Sequence, residues 1–356
     1  MPEKSLCIQV DPSFGEKTIR SLTEFDLINK NLKIKNTRKS LLIPITRKPN
    51  FNELKILNSK IINFQFKKEK FILRKPHKKT IEELLNGKIP NHLLKKVPHS
   101  LDIIGDIAIV EVPKDFKKYD KLLGEAILKV NKNIKTVLSK LSPIKSTYRI
   151  RIFNFLAGEK RTHTTHLEYG CKYSMDITKV YFSPRLSKEH NRIASLINQK
   201  EIIIDLFAGI GPFSIPIAKK NPESKIISVD INPSAIEYLN KNIRLNRVDN
   251  KITPYLGDAR SLINDHLSGI ADRVIMNLPE KAAEFIDVAC KVLKSKGGII
   301  HYYEFIQRPD SINNAQNRLK NSIKRYGRTI DQFLYIKRIR ETAPYQDQVV
   351  FDIKII

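Results

Sequence analysis

No apolar run in this 356-residue chain is long enough to span a bilayer, and its start, Met1-Pro-Glu-Lys, carries no secretory hydrophobic segment. A membrane-embedded or exported protein is therefore not expected. Cysteine is scarce: Cys7, Cys171 and Cys290 are scattered without metal-ligand spacing, and they read as buried thiols of a reducing cytoplasm. No metal site is expected. The chain has no internal repeat and no low-complexity tract. Acids are few beside bases, 37 Asp plus Glu against 64 Lys plus Arg, a formal balance of +27. That excess goes beyond what solubility requires and points to a polyanionic partner, although part of it reflects a composition rich in Lys, Ile and Asn. The basic residues are interleaved with apolar ones, so no disordered basic tail is expected. With no basic amphipathic anchor, RNA or DNA is favoured over a membrane surface.

The most informative stretch is Asp205-Leu-Phe-Ala-Gly-Ile-Gly-Pro-Phe213. It follows the apolar run Ile202-Ile203-Ile204 and leads into helical spacing, which predicts strand, glycine-bearing turn and helix. Gly209 and Gly211 lack a Cβ, so the turn can bend sharply and a ligand can approach the backbone. The next predicted strand ends at Asp230, followed by Ile231, where a carboxylate can accept ribose hydroxyls. A dinucleotide fingerprint wants a third glycine or alanine at the place of Ser214. Asp205, Phe207, Gly209, Gly211 and Asp230 together resemble instead the first motif of S-adenosylmethionine-dependent methyltransferases.

About two or three domains are expected from the length. Residues 1–70 read as a small α/β module, with strands over 5–10, 41–44 and 61–66 and a helix over 15–27. Residues 71–90 read as a basic linker containing Pro76, ending in a helix whose N-terminus is capped by Thr80 and Glu83. A middle α+β domain is expected over 91–178, with a strand run at 103–112, a long helix over 116–141 and strands over 148–155, 162–167 and 171–177. From 179 to 356 strands and helices alternate, which predicts a doubly wound, Rossmann-like sheet of six or seven strands.

Ligands in such sheets bind at the carboxyl ends of the strands. Asp205, Asp230, Asp258, Asn277 and Pro279 sit at those ends. Asp258-Ala259 is placed to meet an adenine edge, or Asp258 caps a helix. Asn277-Leu-Pro279 resembles the Asn/Asp-Pro-Pro-aromatic loop of base-methylating enzymes, although Leu278 and Glu280 depart from it. The alternative there is a proline-stopped strand.

Phe155-Leu-Ala-Gly-Glu159, Lys179-Val-Tyr-Phe-Ser-Pro-Arg185, the Asp205 motif, Val274-Ile-Met-Asn-Leu-Pro279 and His301-Tyr-Tyr303 follow one another in this order. The set resembles the archaeal and eukaryotic tRNA (guanine-37 N1)-methyltransferases, weakest in the first seventy residues. That resemblance implies a small N-terminal domain reading the tRNA elbow, a middle domain and a class I methyltransferase domain. It also implies S-adenosylmethionine as cofactor, the tRNA anticodon loop as partner, and a cytoplasmic enzyme, here expected to be a monomer. By resemblance Glu189 is the general base, Arg149 holds the guanine O6, Tyr181 packs against the flipped base or the cofactor, and His190 lies at the cofactor. The chemistry agrees: N1 of neutral guanine carries a proton that a base must remove while positive charge steadies O6. Glu189 otherwise reads as a helix N-terminal charge and Arg149 as a phosphate clamp. Rival functions within the fold are methylation of a wyosine precursor and aminocarboxypropyl transfer in wyosine synthesis. A rival outside catalysis is an RNA-binding scaffold with an inert methyltransferase domain.

Overall fold

The computed structural model describes residues 2–37, 39–74, 79–142, 147–198, 200–262 and 267–356. They form two compact units, residues 1–79 and 80–356. Among the described residues no helix is long and apolar enough to cross a membrane.

In the first unit, Glu3–Val10 lies between Leu41–Ile45 and Gln65–Phe71 in a four-stranded antiparallel sheet, with the short Lys35–Asn36 at its edge. Ile8, Val10, Ile43 and Ile45 pack with Leu22 of helix Gly15–Glu24 and Leu57 of helix Phe51–Lys60. The sequence reading missed the second helix, although Asn50 and Glu53 form a capping box at its start. The last strand begins four residues later than the expected 61 and runs on to Phe71. Of the expected basic linker only Phe71 falls in this strand, whose lysines 67, 68 and 70 are exposed. The unit ends near Lys79 rather than at 70, and Pro76 lies outside the described residues.

The second unit opens with the expected cap: the Glu83 amide donates to the Thr80 hydroxyl at 3.2 Å, and Glu83 accepts from the Thr80 amide at 2.9 Å. Leu101–Ile104, Ile107–Val110, Thr136–Lys140 and Phe153–Gly158 form a four-stranded sheet against helix Asp120–Val130. The helix expected over 116–141 is thus a helix followed by a strand. Thr136, Val137, Leu138 and Ser139 are all buried, so the apolar spacing that looked helical belongs to a strand covered on both faces. Hairpin His163–Glu168 and Cys171–Asp176 follows.

The remaining strands build one seven-stranded sheet. In chain order they are β1 (Ile202–Asp205), β2 (Lys225–Asp230), β3 (Ile252–Leu256), β4 (Arg273–Met276), β5 (Gly298–Gln307), β6 (Ile330–Ala343) and β7 (Gln346–Ile355). The spatial order is β3-β2-β1-β4-β5-β7-β6, with β7 antiparallel between β5 and β6. The first five places follow the doubly wound pattern, but the inserted antiparallel strand departs from the 3-2-1-4-5-6 order of dinucleotide-binding sheets. Three helices matter for the site: α1 (Ser187–Leu196), α2 (Ser214–Lys220) and α3 (Pro233–Asn246). Helix α1 starts five residues before the expected 192.

The expected boundary at 178 is not a break in packing. One apolar cluster joins Ile104, Leu138, Tyr173 and Met175 to Ile203, Ile215 and Leu239. Polar bonds lock the same junction. Asn242 of α3 accepts from the Ser174 amide at 2.7 Å and donates to the Ser174 and Ile210 carbonyls, both at 3.2 Å. Asn246, one turn on, exchanges the same pair of bonds with Lys172. The asparagines four residues apart thus satisfy the open edge of the hairpin, which buried backbone requires. Asn242→Ala strands several buried partners, and chemical denaturation of that variant is expected to show a loss of about 2–4 kcal/mol.

Candidate functional site

A cavity of about 250 Å³ opens at the carboxyl ends of β1, β2 and β4, where the strand order reverses between β1 and β4. Its floor is the glycine turn. The Ala208 amide bonds the Val229 carbonyl at 2.8 Å, and the Gly209 amide donates to Asp230 Oδ2 at 2.7 Å. Asp230 Oδ1 accepts from the Asn232 amide at 2.9 Å. Each carboxylate oxygen keeps capacity for a further donor, as a ribose diol requires. Burial holds the Asp230 carboxyl above the ordinary aspartate range, opposed by those backbone amides.

The two glycines divide the work. Gly209 has φ 55°, and a Cβ there would meet nothing closer than the Tyr181 carbonyl at 4.0 Å. It borders the cavity and lets a ligand come close. Gly211 has φ 93°, does not border the cavity, and its Cβ would strike Leu239 at 2.7 Å and Ile215 at 2.9 Å. The missing Cβ there allows α3 to pack against the turn.

Phe207, Ile231, Asp258, Ala259 and Asn277 border the cavity. Phe207 is fixed edge-on by Phe285 at 4.9 Å. Asp258 also accepts from the Arg260 amide at 2.8 Å at the start of the short helix Ala259–Leu262. His190 borders the cavity with its ring against Phe213 and Nδ1 2.7 Å from Glu168.

Asp205, Pro279 and Glu189 do not border it. Asp205 is fully buried beneath the turn and accepts from Ser214 Oγ at 2.9 Å, which in turn accepts from Ser228 at 2.8 Å. Burial pushes its carboxyl up to about 7, against the pull of Ser214, and Oδ1 has no partner. It braces the turn from outside the cavity, and Ser214, which argued against a dinucleotide, is its anchor. Pro279 is buried and its carbonyl accepts from the Phe305 amide at 3.4 Å, pinning the loop that presents Asn277. Glu189, on the first turn of α1, turns its carboxylate to Tyr303 Oη at 2.7 Å and to Arg192 at 2.6 and 2.9 Å.

Arg149 and Tyr181 form a wall between this cavity and a second one of about 330 Å³. Arg149 adopts φ 57°, a strained backbone for a non-glycine residue. Its guanidinium stacks over Tyr181 at 4.6 Å, one nitrogen lies 3.7 Å from Glu280, and Nε is buried with no partner. Burial alone would raise the Tyr181 hydroxyl, but Arg149 and Arg340 outweigh it and hold it below the ordinary tyrosine value. Sequence reading missed Arg340, on β6, which donates to Ser183 at 2.9 Å and Tyr181 at 3.4 Å. Its only signal was the basic run Lys337-Arg-Ile-Arg340 inside a closing strand. Arg151, Arg185 and Lys140 also face the second cavity, although Arg185 and Lys140 are paired with Asp102.

Residues 164–330 match the TRM5/TYW2 methyltransferase domain, 81–162 the TYW2 N-terminal domain and 7–52 the tRNA methyltransferase 5 N-terminal domain. The tRNA (guanine(37)-N(1))-methyltransferase Trm5b of Pyrococcus abyssi is 36% identical over 99% of both chains. The chain belongs to the TRM5/TYW2 methyltransferase family. The crystal structure of that Trm5b superposes with a TM-score of 0.74, covering 99% of both chains at 35% identity. A complex of aTrm5 with tRNALeu gives 0.72 at 35% identity, covering 99% of this chain and 100% of the other. Pyrococcus horikoshii TYW2 in complex with MeSAdo gives 0.67 at 31% identity, covering 78% of this chain and 98% of the other.

The family's nucleoside-bearing cofactor fits the first cavity: Gly209 leaves open space where a side chain would intrude, and Asp230 presents a buried carboxylate with free acceptor capacity. Asp230→Ala is expected to weaken S-adenosylmethionine binding at least about tenfold by titration calorimetry, as the loss of a charge-assisted bond implies. Asp205 makes a different prediction. Its carboxyl is raised in the fold, so between the unfolded value and about 7 the native state holds the extra proton and stability falls as pH rises. Relative to Asp205→Asn, the wild type is expected to lose on the order of 2–4 kcal/mol between pH ~4 and ~7 in parallel denaturation curves.

Proposed function

We propose that this protein transfers the methyl group of S-adenosylmethionine to N1 of guanosine 37 in tRNA, the nucleoside 3′ of the anticodon. The observation that carries the reading is the similarity of 36% over 99% of the chain, first unit included, to a tRNA (guanine(37)-N(1))-methyltransferase. The two adjoining cavities with a shared Arg149–Tyr181 wall support it, since a methyl donor and an extruded base must meet across one opening. The net charge of +27 suits a tRNA partner, which meets the second cavity's arginines on its way to the site.

S-adenosylmethionine, when bound, supplies a methyl group on a positively charged sulfur. Asp230 holds the ribose hydroxyls, Phe207, Ile231 and Ala259 enclose the nucleoside, and Asp258 meets the adenine edge. Arg149 turns its unpartnered Nε to the guanine O6, and its strained backbone is consistent with a side chain fixed for that task. Asn277 holds the base edge and Tyr181 packs against the ring. Glu189 takes the N1 proton, and the negative charge so left on the ring is shared with O6. The N1 electron pair then takes the methyl group, whose bond to sulfur breaks with its pair remaining on sulfur. Tyr303 is the partner that Glu189 gives up to do so.

Aminocarboxypropyl transfer is the second reading. It is favoured by the 32% identity, over 78% of this chain and 97% of the relative, to the tRNA(Phe) (4-demethylwyosine(37)-C(7)) aminocarboxypropyltransferase of Pyrococcus horikoshii. About a fifth of the present chain has no counterpart there, whereas the methyltransferase match spans it all.

Mass spectrometry of nucleosides from unmodified tRNA incubated with protein and S-adenosylmethionine is expected to show N1-methylguanosine. An aminocarboxypropyl product would select the second reading, and no product with no cofactor binding would leave an RNA-binding scaffold. Glu189→Gln is expected to slow single-turnover transfer by roughly 10²–10⁴-fold with tRNA and cofactor affinity within a few-fold. Inosine at the target position keeps N1 and O6 and is expected to remain a substrate.

A further inference from the structure

Glu189 is the end of a buried chain of charges that none of the preceding roles uses. Arg192, one turn along α1, donates from Nε and Nη2 to Glu189 and from Nη1 to Asp352 of β7 at 2.6 Å. Asp352 is paired across the sheet with His301 of β5, whose Nδ1 lies 2.6 Å from Asp352 Oδ1. His301 Nε2 lies 2.9 Å from Arg273 Nη1. A guanidinium only donates, so Nε2 must accept and the proton sits on Nδ1, donated to Asp352. Burial, opposed by Asp352 and aided by the two arginines, keeps this imidazole below its ordinary value and neutral. Arg273 spends its charge on Glu201, at 2.7 and 3.1 Å. From β5 Glu189 also meets the Tyr303 hydroxyl, and from β6 the Tyr335 ring covers Arg192 at 4.2 Å. The neighbouring His190 is engaged by Glu168.

The full charges beside Glu189 are therefore one guanidinium and one carboxylate. A carboxylate paired alone with an arginine is a poor base, because the ion pair favours its charged form. Here Arg192 is shared: Glu189, Arg192 and Asp352 carry −1, +1 and −1, a sum of −1, and one proton brings the set to zero. In a buried site that balance favours proton uptake over the +1 that an isolated pair would reach.

We propose that Arg192 and Asp352 are positioning residues for proton removal, Arg192 holding the Glu189 carboxylate and Asp352 drawing off enough of its charge to leave Glu189 basic. The inference rests on the base role of Glu189 given above. It makes the two neighbours act in opposite directions, which a merely structural role would not do.

The test is the pH dependence of single-turnover methyl transfer, on full-length protein and tRNA, for the wild type, Arg192→Gln, Asp352→Asn, Arg192→Lys and Glu189→Gln. Without the guanidinium the carboxylate loses the cation that favours its charged form, and the acidic limb of the Arg192→Gln profile is expected to move up by roughly one pH unit. Without the second carboxylate, Arg192 acts on Glu189 alone. The Asp352→Asn limb is expected to move down by roughly one unit, with a plateau about tenfold slower. Arg192→Lys keeps the charge and loses the fork, so its limb is expected to stay near the wild-type position at a reduced rate. Limbs that move together, or not at all, while Glu189→Gln is inactive would overturn this inference and leave the base role standing. A wild-type rate in Glu189→Gln would remove the base role and this inference with it. Should Asp352→Asn fail to melt cooperatively, Arg192→Lys decides: a limb displaced as in Arg192→Gln counts against the proposal, and an unmoved limb supports it.

Discussion

The carboxylate of Asp230, held by the amides of Gly209 and Asn232, is the contact on which the site depends. It ties the glycine turn after β1 to the end of the neighbouring β2, so both contribute to one floor. The turn is supported from beneath by Asp205, Ser214 and Ser228, a buried polar relay that never touches the cavity. A carboxyl raised toward neutrality with an unpartnered oxygen is a poor contribution to stability. Its position is explained by the turn it braces: α2 must start where the Gly209 backbone stays open to a ligand.

Much of this was legible because the residues concerned must be what they are for backbone reasons. A strand-end acid, two positive-φ glycines and a second acid on the next strand can be read from spacing alone. What spacing could not do was separate the residues that border the cavity from those that brace them. Asp205 and Asp230 look alike in the sequence, each an Asp closing an apolar strand. Burial tells them apart, since β1 is central and its end lies under the turn, whereas Asp230 opens sideways into the cavity. Gly209 and Gly211 divide in the same way, one facing space and the other facing Leu239.

The misread elements share a cause. Residues 136–140 looked helical because a strand buried on both faces has no alternation to betray it. The helix Phe51–Lys60 was missed because its apolar face is thin, with only Leu57 buried. The asparagines of α3 carry no local signal of their role, yet Asn242 and Asn246 are spaced one turn apart and meet a hairpin edge distant in the chain. Such a function for a polar side chain depends on a partner 68 or more residues away, which no local window contains. The same bonds make the expected middle and catalytic segments one packed body.

Long-range pairing also explains why the charge at Glu189 escaped the sequence. Its first neighbour, Arg192, is three residues on, but the residue that decides what that arginine does, Asp352, arrives on β7, 160 residues beyond Arg192. The antiparallel insertion of β7 beside β5 sets Asp352 opposite His301 and next to the start of α1. The strand that distinguishes this sheet from a dinucleotide-binding one therefore carries the second carboxylate. β6, paired with β7, brings Arg340 to Tyr181 at the wall between the cavities. The two closing strands thus add charge to the half-sheet that holds the glycine turn, at α1 and at the wall between the cavities.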